Sequence, residues 1–169
     1  MKPISVIGVI SWLLISALAG FGYSNWAIAN GFHIPVSGIS LSISVAVVAI
    51  ILLVLVFPIW KYKRNLKKIL QAKDATQVKK ALPVDPFYAV RVLLLAKAAS
   101  VTAALFIGWH SGVLTKQFLS PVIANEAIGP NLSAAIASLL LLAVAFIVVE
   151  ICKLPDDGDS SAKEKSVTA

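Results

Sequence analysis

The chain has 169 residues, of which 59% are hydrophobic and 14% are charged, and its formal net charge is +7. A soluble domain contains about 45–50% apolar and about 25% charged residues, and a soluble core of this size cannot bury so many apolar side chains. The composition therefore excludes a water-soluble globule and predicts an integral membrane protein.

Four apolar stretches are long enough to cross a hydrocarbon core, which takes about 20 helical residues. They cover residues 4–23, 39–60, 88–113 and 132–151. Each must be helical, because lipid offers no partner to free backbone N–H and C=O groups. The sequence therefore predicts an all-α integral membrane protein with one four-helix transmembrane domain, residues 1–154, and a disordered polar tail at 155–169.

The first span allows two interpretations. Lys2, an apolar run and the small residues at 17–19 resemble a secretory signal peptide with its cleavage site. The apolar run continues past that site to Tyr23, as in a transmembrane helix that is retained. Both interpretations leave the other three spans in the same orientation.

Capping and turn residues predict where several helices begin and end. Asn30-Gly31 is predicted to end helical structure after the first span, and Gly129-Pro130 is predicted to interrupt it before the fourth. Asp85 is suited to be the N-cap of the third helix, with Pro86 at the first helical position. From Pro86 that helix can extend to about Leu119, roughly 50 Å at 1.5 Å per residue.

Basic residues are concentrated in the connection between the second and third spans, residues 61–84. The first connection, residues 24–38, has no Lys or Arg, and the third, residues 114–131, has only Lys116. Because Lys and Arg near the ends of spans stay on the cytoplasmic side, we expect residues 61–84 and both termini to be cytoplasmic.

The basic residues that directly follow the second span favour contact with anionic lipid headgroups. Near an anionic surface each contributes about 1 kcal/mol, and a basic helix with an apolar side is typical of interfacial segments. Alternatively, they only fix the orientation and solvate a loop. Without interleaved aromatic residues for base stacking, they do not indicate nucleic acid. The residues concerned are Lys61, Lys63, Arg64, Lys67 and Lys68.

Small residues recur at every fourth position of the third span and predict a helix-packing face. In lipid, small residues mark the places where helices approach closely. The first span offers a shorter row, Ser16, Gly20 and Ser24. The face either packs inside one four-helix bundle or receives a second copy or a partner membrane protein. Its residues are Ala96, Ser100, Ala104, Gly108 and Gly112.

Lys97 is a charge inside the third span, on the same side of the helix as Ala104 and Gly108. Burying an ammonium group in the membrane costs at least about 2.5–3.5 kcal/mol, so we expect it to have a partner. Glu150 near the end of the fourth span is the best-placed acid, with Arg91 as a competing cation. The group is either a structural ion pair, with the lysine snorkelling toward the interface, or the polar part of a transport pathway.

The sequence lacks the residue patterns that are typical of a catalytic site. His110 and His33 are far apart in sequence and have no acidic neighbours, which makes a metal site unfavourable. No span contains a nucleophile with a base, or a metal cluster. The sequence therefore predicts a protein that is not an enzyme and binds no cofactor.

The third span carries a pattern of its own. It begins with Asp85-Pro86, continues with Leu-Ala-Lys-Ala-Ala-Ser at 95–100 and ends with Gly-Trp-His-Ser-Gly at 108–112. This pattern resembles the small actinobacterial membrane proteins catalogued as domain of unknown function 3180, from which it departs at Val90 and His110. The resemblance implies four spans, a bacterial plasma membrane and no assigned activity.

Two functions remain open. The first is a non-enzymatic assembly or accessory protein that packs through the small-residue face of the third span. The alternative is a small transporter protomer that uses Lys97 and Glu150.

Overall fold

The computed structural model describes residues 6–33, 35–71, 85–120 and 125–152. They form four helices: α1 (Val6–Ala29), α2 (Ile39–Gln71), α3 (Pro86–Leu119) and α4 (Asn125–Cys152). All four are long and apolar enough to cross a membrane. The protein is thus an all-helical multi-pass membrane protein. Residues 72–84 of the basic connection and the tail at 155–169 lie outside the described residues.

Helix α1 ends where Asn30-Gly31 predicts. Gly31 has a φ of +73°, which glycine adopts without the steric penalty of a side chain. The Gly31 N–H donates to the Ile28 carbonyl at 3.1 Å, and the Phe32 N–H donates to the Ala27 carbonyl at 2.8 Å. This pair of bonds is a Schellman cap, which satisfies the last carbonyls of the helix and turns the chain away.

The predicted start of α3 is confirmed. The Asp85 carboxylate accepts the Phe87 N–H at 2.9 Å, and Pro86 occupies the start of the first turn. The helix then continues to Leu119 over 34 residues. At 1.5 Å per residue it is about 51 Å long, so it extends beyond a hydrocarbon core of about 30 Å.

The predicted break at Gly129-Pro130 is wrong, because α4 begins at Asn125 and includes Pro130. Proline has a φ that already suits a helix, and it costs the helix one backbone hydrogen bond, here to the Glu126 carbonyl. Close to the N-terminus of a long helix, that loss does not end the helix. The fourth helix therefore starts before the predicted span.

Helix α2 continues past the predicted end of its span at Trp60 without interruption as far as Gln71. The basic residues that follow Trp60 are consequently on an extension of the transmembrane helix rather than on a separate element. Pro58 is accommodated inside this helix.

The helices are arranged side by side in the order α1, α3, α4, α2. Helix α3 packs against α1 and α4, while α2 packs against α4 and touches α3 at only a few positions. Within the described ranges α1 contacts no helix other than α3. Consecutive helices α1 and α2 are therefore not neighbours, and α2 and α3 leave a cleft between them.

The apolar core lies where α2, α3 and α4 meet. Leu52, Ala103 and Val148 are fully buried there. Large apolar side chains on the outer surface are instead exposed, such as Ile7 at 77% and Leu18 at 74%. An apolar exterior of this kind suits contact with lipid and fits the multi-pass architecture.

Candidate functional site

The five residues of the small-residue row are all buried, but they do not form a single face. Each step of four residues turns an α-helix by about 40° beyond one full turn, so the row winds through about 160° from Ala96 to Gly112. Ala96 belongs to the core shared with α2 and α4. Gly108 and Gly112 contact α1.

The glycine end of the row meets the predicted partner row of the first span. A Cβ atom added to Gly108 would collide with the Leu13 carbonyl of α1, and one added to Gly20 of α1 would collide with the Trp109 carbonyl of α3. The Ser16 hydroxyl donates a hydrogen bond to the Leu105 carbonyl. This half of the face is therefore filled by a helix of the same chain.

The predicted intramembrane charges lie away from the glycine end of the row, in the first half of α3 and near the end of α4. Lys97 is half-buried on α3, whereas Arg91 and Glu150 are exposed. Ion pairing among the three stays a prediction. None of them lines either of the two cavities described below.

The basic extension of α2 exposes Lys61, Lys63 and Arg64. The Arg64 guanidinium lies 4.9 Å from the centroid of the Trp60 ring, a distance at which a cation–π attraction operates. The Lys63 ammonium donates to the Ile151 carbonyl at 3.3 Å, which places a positive charge at the negative end of the α4 dipole. The side chains of Lys67 and Lys68 lie outside the described residues.

A buried polar cluster joins the α1–α2 connection to α3 and α4, and sequence reasoning missed it. The Ser37 N–H and hydroxyl both donate to Asn131 Oδ1, at 3.0 and 2.6 Å. The Asn131 amide donates to the Pro35 carbonyl at 3.1 Å. Ser37 Oγ also lies 3.2 Å from His110 Nδ1. His110 and Asn131 are only 4% and 1% exposed. Below, Ser37, His110 and Asn131 are called the polar cluster.

The hydrogen-bond donors and acceptors in the polar cluster determine which ring nitrogen of His110 carries the proton. The Ser37 hydroxyl has one proton, which it donates to Asn131 Oδ1, so its oxygen accepts from a protonated His110 Nδ1. A neutral His110 then carries no proton on Nε2. This Nε2 atom is buried and has no hydrogen-bond partner among the described residues. The cluster thus contains one acceptor that lacks a donor.

Two neighbouring cavities lie near the polar cluster, and the first of them adjoins it. The first, of about 390 Å³, is lined by the cluster and by apolar side chains such as Leu105. The second, of about 580 Å³, runs between α2 and α3, with Val48 and Thr102 on its walls. Leu41 and Phe106 line both, so the two spaces are neighbours. We call the second space the lateral cleft.

Chemically, each cavity is mainly apolar and has a few hydrogen-bonding groups on its wall. Small-molecule sites typically have this composition and a volume of about 300–1,000 Å³. In the part of the chain that the structure describes, no three His, Cys, Asp or Glu residues come together to hold a metal ion. The arrangement favours binding through shape and hydrogen bonds.

A weak sequence signal for the polar cluster exists. His110 is a polar residue inside an apolar span, and such residues are costly unless they have a partner. Its partner Ser37, however, lies 73 residues away in the sequence, and Ser37 is in turn separated from Asn131 by 94 residues. Only the packing of the connection onto the helices shows that the three residues meet.

Comparisons with known proteins give one relationship. Residues 9–156 match the model of a family described as "Protein of unknown function (DUF3180)". Neither the curated proteins nor the solved structures include a significant match. The match covers most of the chain and agrees with the resemblance of the third span. This protein therefore belongs to the DUF3180 family.

Proposed function

We propose that this protein is a non-enzymatic accessory protein of the membrane whose open binding surface is the lateral cleft. The observation that carries the proposal is that α2 and α3 diverge and leave a space of about 580 Å³ between them. Small polar residues flank this space, with Ser40 and Ser44 on α2 and Thr102 on α3. All three are exposed and would allow a ligand to approach closely.

The lateral cleft suits this role better than the small-residue face. The backbone of α1 already lies against Gly108 and Gly112. A second copy or a partner membrane protein could use that face only after α1 had left α3. The lateral cleft requires no such rearrangement.

Site-specific photo-crosslinking in the native membrane tests the proposal. A photoreactive amino acid is introduced at Ala98, which lines the lateral cleft and is exposed. The matched control carries the same amino acid at Ala143, an exposed alanine of α4 that does not line the cleft. We expect a discrete adduct, whether with a protein or with a lipid, at position 98 but not at position 143.

The pattern of adducts decides the outcome. Identical adducts from the two positions would mean that the cleft meets only bulk lipid, and the proposal would be wrong. A discrete adduct that disappears when Thr102→Phe fills the cleft would support it.

We also propose a location in the plasma membrane of a bacterium, with both termini in the cytoplasm. Two observations support this orientation. The exposed residues Lys61, Lys63 and Arg64 lie at one end of the four helices. The α1–α2 connection lies at the opposite end and has no Lys or Arg. Basic residues near spans stay in the cytoplasm.

The basic extension of α2 is proposed to bind anionic lipid headgroups. Trp60 beneath Arg64 supports this, because tryptophan is enriched at membrane interfaces. Replacing Lys61, Lys63 and Arg64 by Gln should reduce the anionic lipid retained by the purified protein, since each contributes about 1 kcal/mol. Lys116→Gln, at the opposite end of the helices, serves as the control. Equal retention by both variants would contradict this contact.

A transporter protomer is the second candidate function, because Lys97 is half-buried inside an apolar helix. In that case Lys97→Leu would fold normally and abolish a flux, and Glu150→Gln would act in the same way. A Lys97→Leu protein that fails to fold would instead indicate a structural ion pair. The two cavities support this function less, because neither is lined by Lys97 or Glu150.

A further inference from the structure

We infer that the lateral cleft holds one acyl chain of a phospholipid from the leaflet on the side of the α1–α2 connection. This inference rests on the proposed function, because it names the ligand of the same site. Three observations carry it: the contacts that close the ends of the cleft, its dimensions and depth, and the chemistry of its walls.

A hydrogen bond at each end of the lateral cleft ties α2, or the residues just before it, to α3. At one end, Ser37 bonds to His110 of α3. At the other end, the Tyr88 hydroxyl of α3 donates to the Leu55 carbonyl of α2 at 2.8 Å. A partner's transmembrane helix crosses the whole bilayer, so it can lie between α2 and α3 only if one of these contacts breaks.

The length and depth of the lateral cleft match one leaflet. Its lining residues extend from Ser40 to Val48 on α2 and from Leu95 to Phe106 on α3. At 1.5 Å per residue these stretches are about 12 Å and about 16 Å long, and one leaflet contributes about 15 Å of hydrocarbon. Ser40 is the second residue of the membrane-spanning segment of α2, and Val48 is near the middle of the apolar stretch that ends at Trp60. The cleft thus starts at the membrane surface and ends near the midplane, as an acyl chain does.

The volume of the lateral cleft leads to the same occupant. The cleft offers about 580 Å³, whereas a helix about 10 Å wide displaces roughly 800 Å³ for every 10 Å of its length. An extended hydrocarbon chain is much narrower than a helix, so it can occupy the cleft without moving α2 or α3.

The walls of the lateral cleft suit a hydrocarbon chain. The hydroxyl protons of Ser44 and Thr102 are already donated to carbonyls of their own helices, at 2.8 and 3.1 Å, so these two hydroxyls offer no proton to a polar ligand. The buried Leu141 of α4 also lines the cleft, so a chain inside it touches three helices. It forms more dispersion contacts with protein than a chain on the outer surface, and we expect it to exchange more slowly with bulk lipid.

Native mass spectrometry of the full chain tests the inference. The protein is delipidated in a mild detergent and loaded with phosphatidylcholine, whose head group has no net charge and does not favour the basic extension of α2. We expect one lipid to be retained per chain. Ala98→Phe places a ring in the cleft and should lose this lipid. Ala143→Phe, at an exposed alanine outside the cleft, should retain it.

A second pair of variants covers the case in which Ala98→Phe does not fold. Ser44→Phe fills the cleft from α2. Ala46→Phe places the same ring at an exposed position of α2 that does not line the cleft. Only Ser44→Phe should lose the lipid. Lysophosphatidylcholine, which has one acyl chain, should be retained as well as phosphatidylcholine, because the cleft holds one chain.

Photoreactive acyl chains test the orientation of the lipid. A phosphatidylcholine with a photoreactive group next to the ester should label the protein near Ser40. One with the group at the methyl end of the chain should label it near Val48. The reverse order would contradict the assigned leaflet.

The outcomes separate the inference from the proposed function. The inference would be overturned if the unmodified protein retained no lipid, or if Ala98→Phe and Ser44→Phe retained as much lipid as their controls. In the photo-crosslinking experiment, a protein adduct without a lipid adduct at position 98 would also overturn it, while the proposed function would stand. Identical adducts at positions 98 and 143 would contradict both.

Discussion

Gly112 of α3 lies so close to Ala17 of α1 that the glycine has no room for a side chain. The two helices therefore meet backbone against backbone over this stretch. In a membrane, where lipid is as apolar as the side chains, such close packing is a main source of helix association. The consequences can be measured with single substitutions.

Two glycines of α1 provide a matched pair. A Cβ at Gly20 would lie 2.5 Å from the Trp109 carbonyl, whereas one at Gly22 meets nothing within 4 Å. We expect Gly20→Ala to lower the free energy of unfolding by about 1–3 kcal/mol through overpacking. Gly22→Ala should raise it by up to about 1 kcal/mol through helix propensity. Titration with sodium dodecyl sulfate measures both, and equal effects would contradict the close approach at Gly20.

A larger side chain at Gly108 should release α1 from α3. The readout is a crosslink by a short bismaleimide reagent between Asn25→Cys and Lys116→Cys in a Cys152→Ser background, since the Lys116 ammonium donates to the Asn25 side chain at 2.8 Å. We expect Gly108→Leu to abolish this crosslink. The oligomeric state should not change.

Gly129→Leu is the control for Gly108→Leu, because a Cβ at Gly129 has nothing within 4 Å. It should leave the crosslink intact. If Gly108→Leu instead kept the crosslink and dissociated an oligomer, the small-residue face would serve assembly rather than the packing of α1.

The anchoring of the α1–α2 connection by Asn131 is also testable. Asn131→Leu removes the acceptor of two bonds from Ser37 and the donor to Pro35. We expect a loss of about 1–3 kcal/mol in the free energy of unfolding, because buried groups lose their partners. Hydrogen exchange at the Ser37 amide should become faster. Asn30→Ala, on an exposed asparagine that bonds only within its own turn, should leave this exchange unchanged.

The tautomer of His110 can be observed directly. In His33→Phe protein, His110 is the only histidine left of the two, so its ¹⁵N signals need no assignment. We expect Nδ1 to be protonated and Nε2 to be unprotonated when the ring is neutral, as the bond with Ser37 requires. The opposite tautomer would contradict the donor and acceptor roles assigned to the polar cluster.

The membrane orientation can be checked with single cysteines in a Cys152→Ser background. A membrane-impermeant thiol reagent added to intact cells should label His33→Cys, in the connection without basic residues. It should label Lys61→Cys only after permeabilisation, because basic residues next to a span stay inside. Labelling in the reverse order would invert the proposed topology.

Local chemistry made several parts of the fold predictable from the sequence. The Schellman cap at Gly31 and the N-cap at Asp85 depend on residues within a few positions of the helix end. The four helices follow from uninterrupted apolar stretches. Pro130 misled the prediction, because its effect depends on where in the helix it lies and not on its identity alone.

The candidate site was less accessible, because it depends on which helices are neighbours. The row from Ala96 to Gly112 reads as one stripe in sequence, yet its two ends face different helices. The polar cluster needs Ser37 folded back onto α3 and α4. Neither relationship is contained in the periodicity of a single span.

The pairing of α1 with α3 alone has a consequence for biosynthesis. Consecutive spans that touch can enter the bilayer as a hairpin, but α1 and α2 do not touch within the described ranges. The ribosome must add a further 95 residues after Ala17 before it reaches Gly112, against which Ala17 packs. At 5–20 residues per second this takes about 5–19 s. During that time the nascent α1 waits in the bilayer with its glycine and serine surface facing lipid or the insertion machinery.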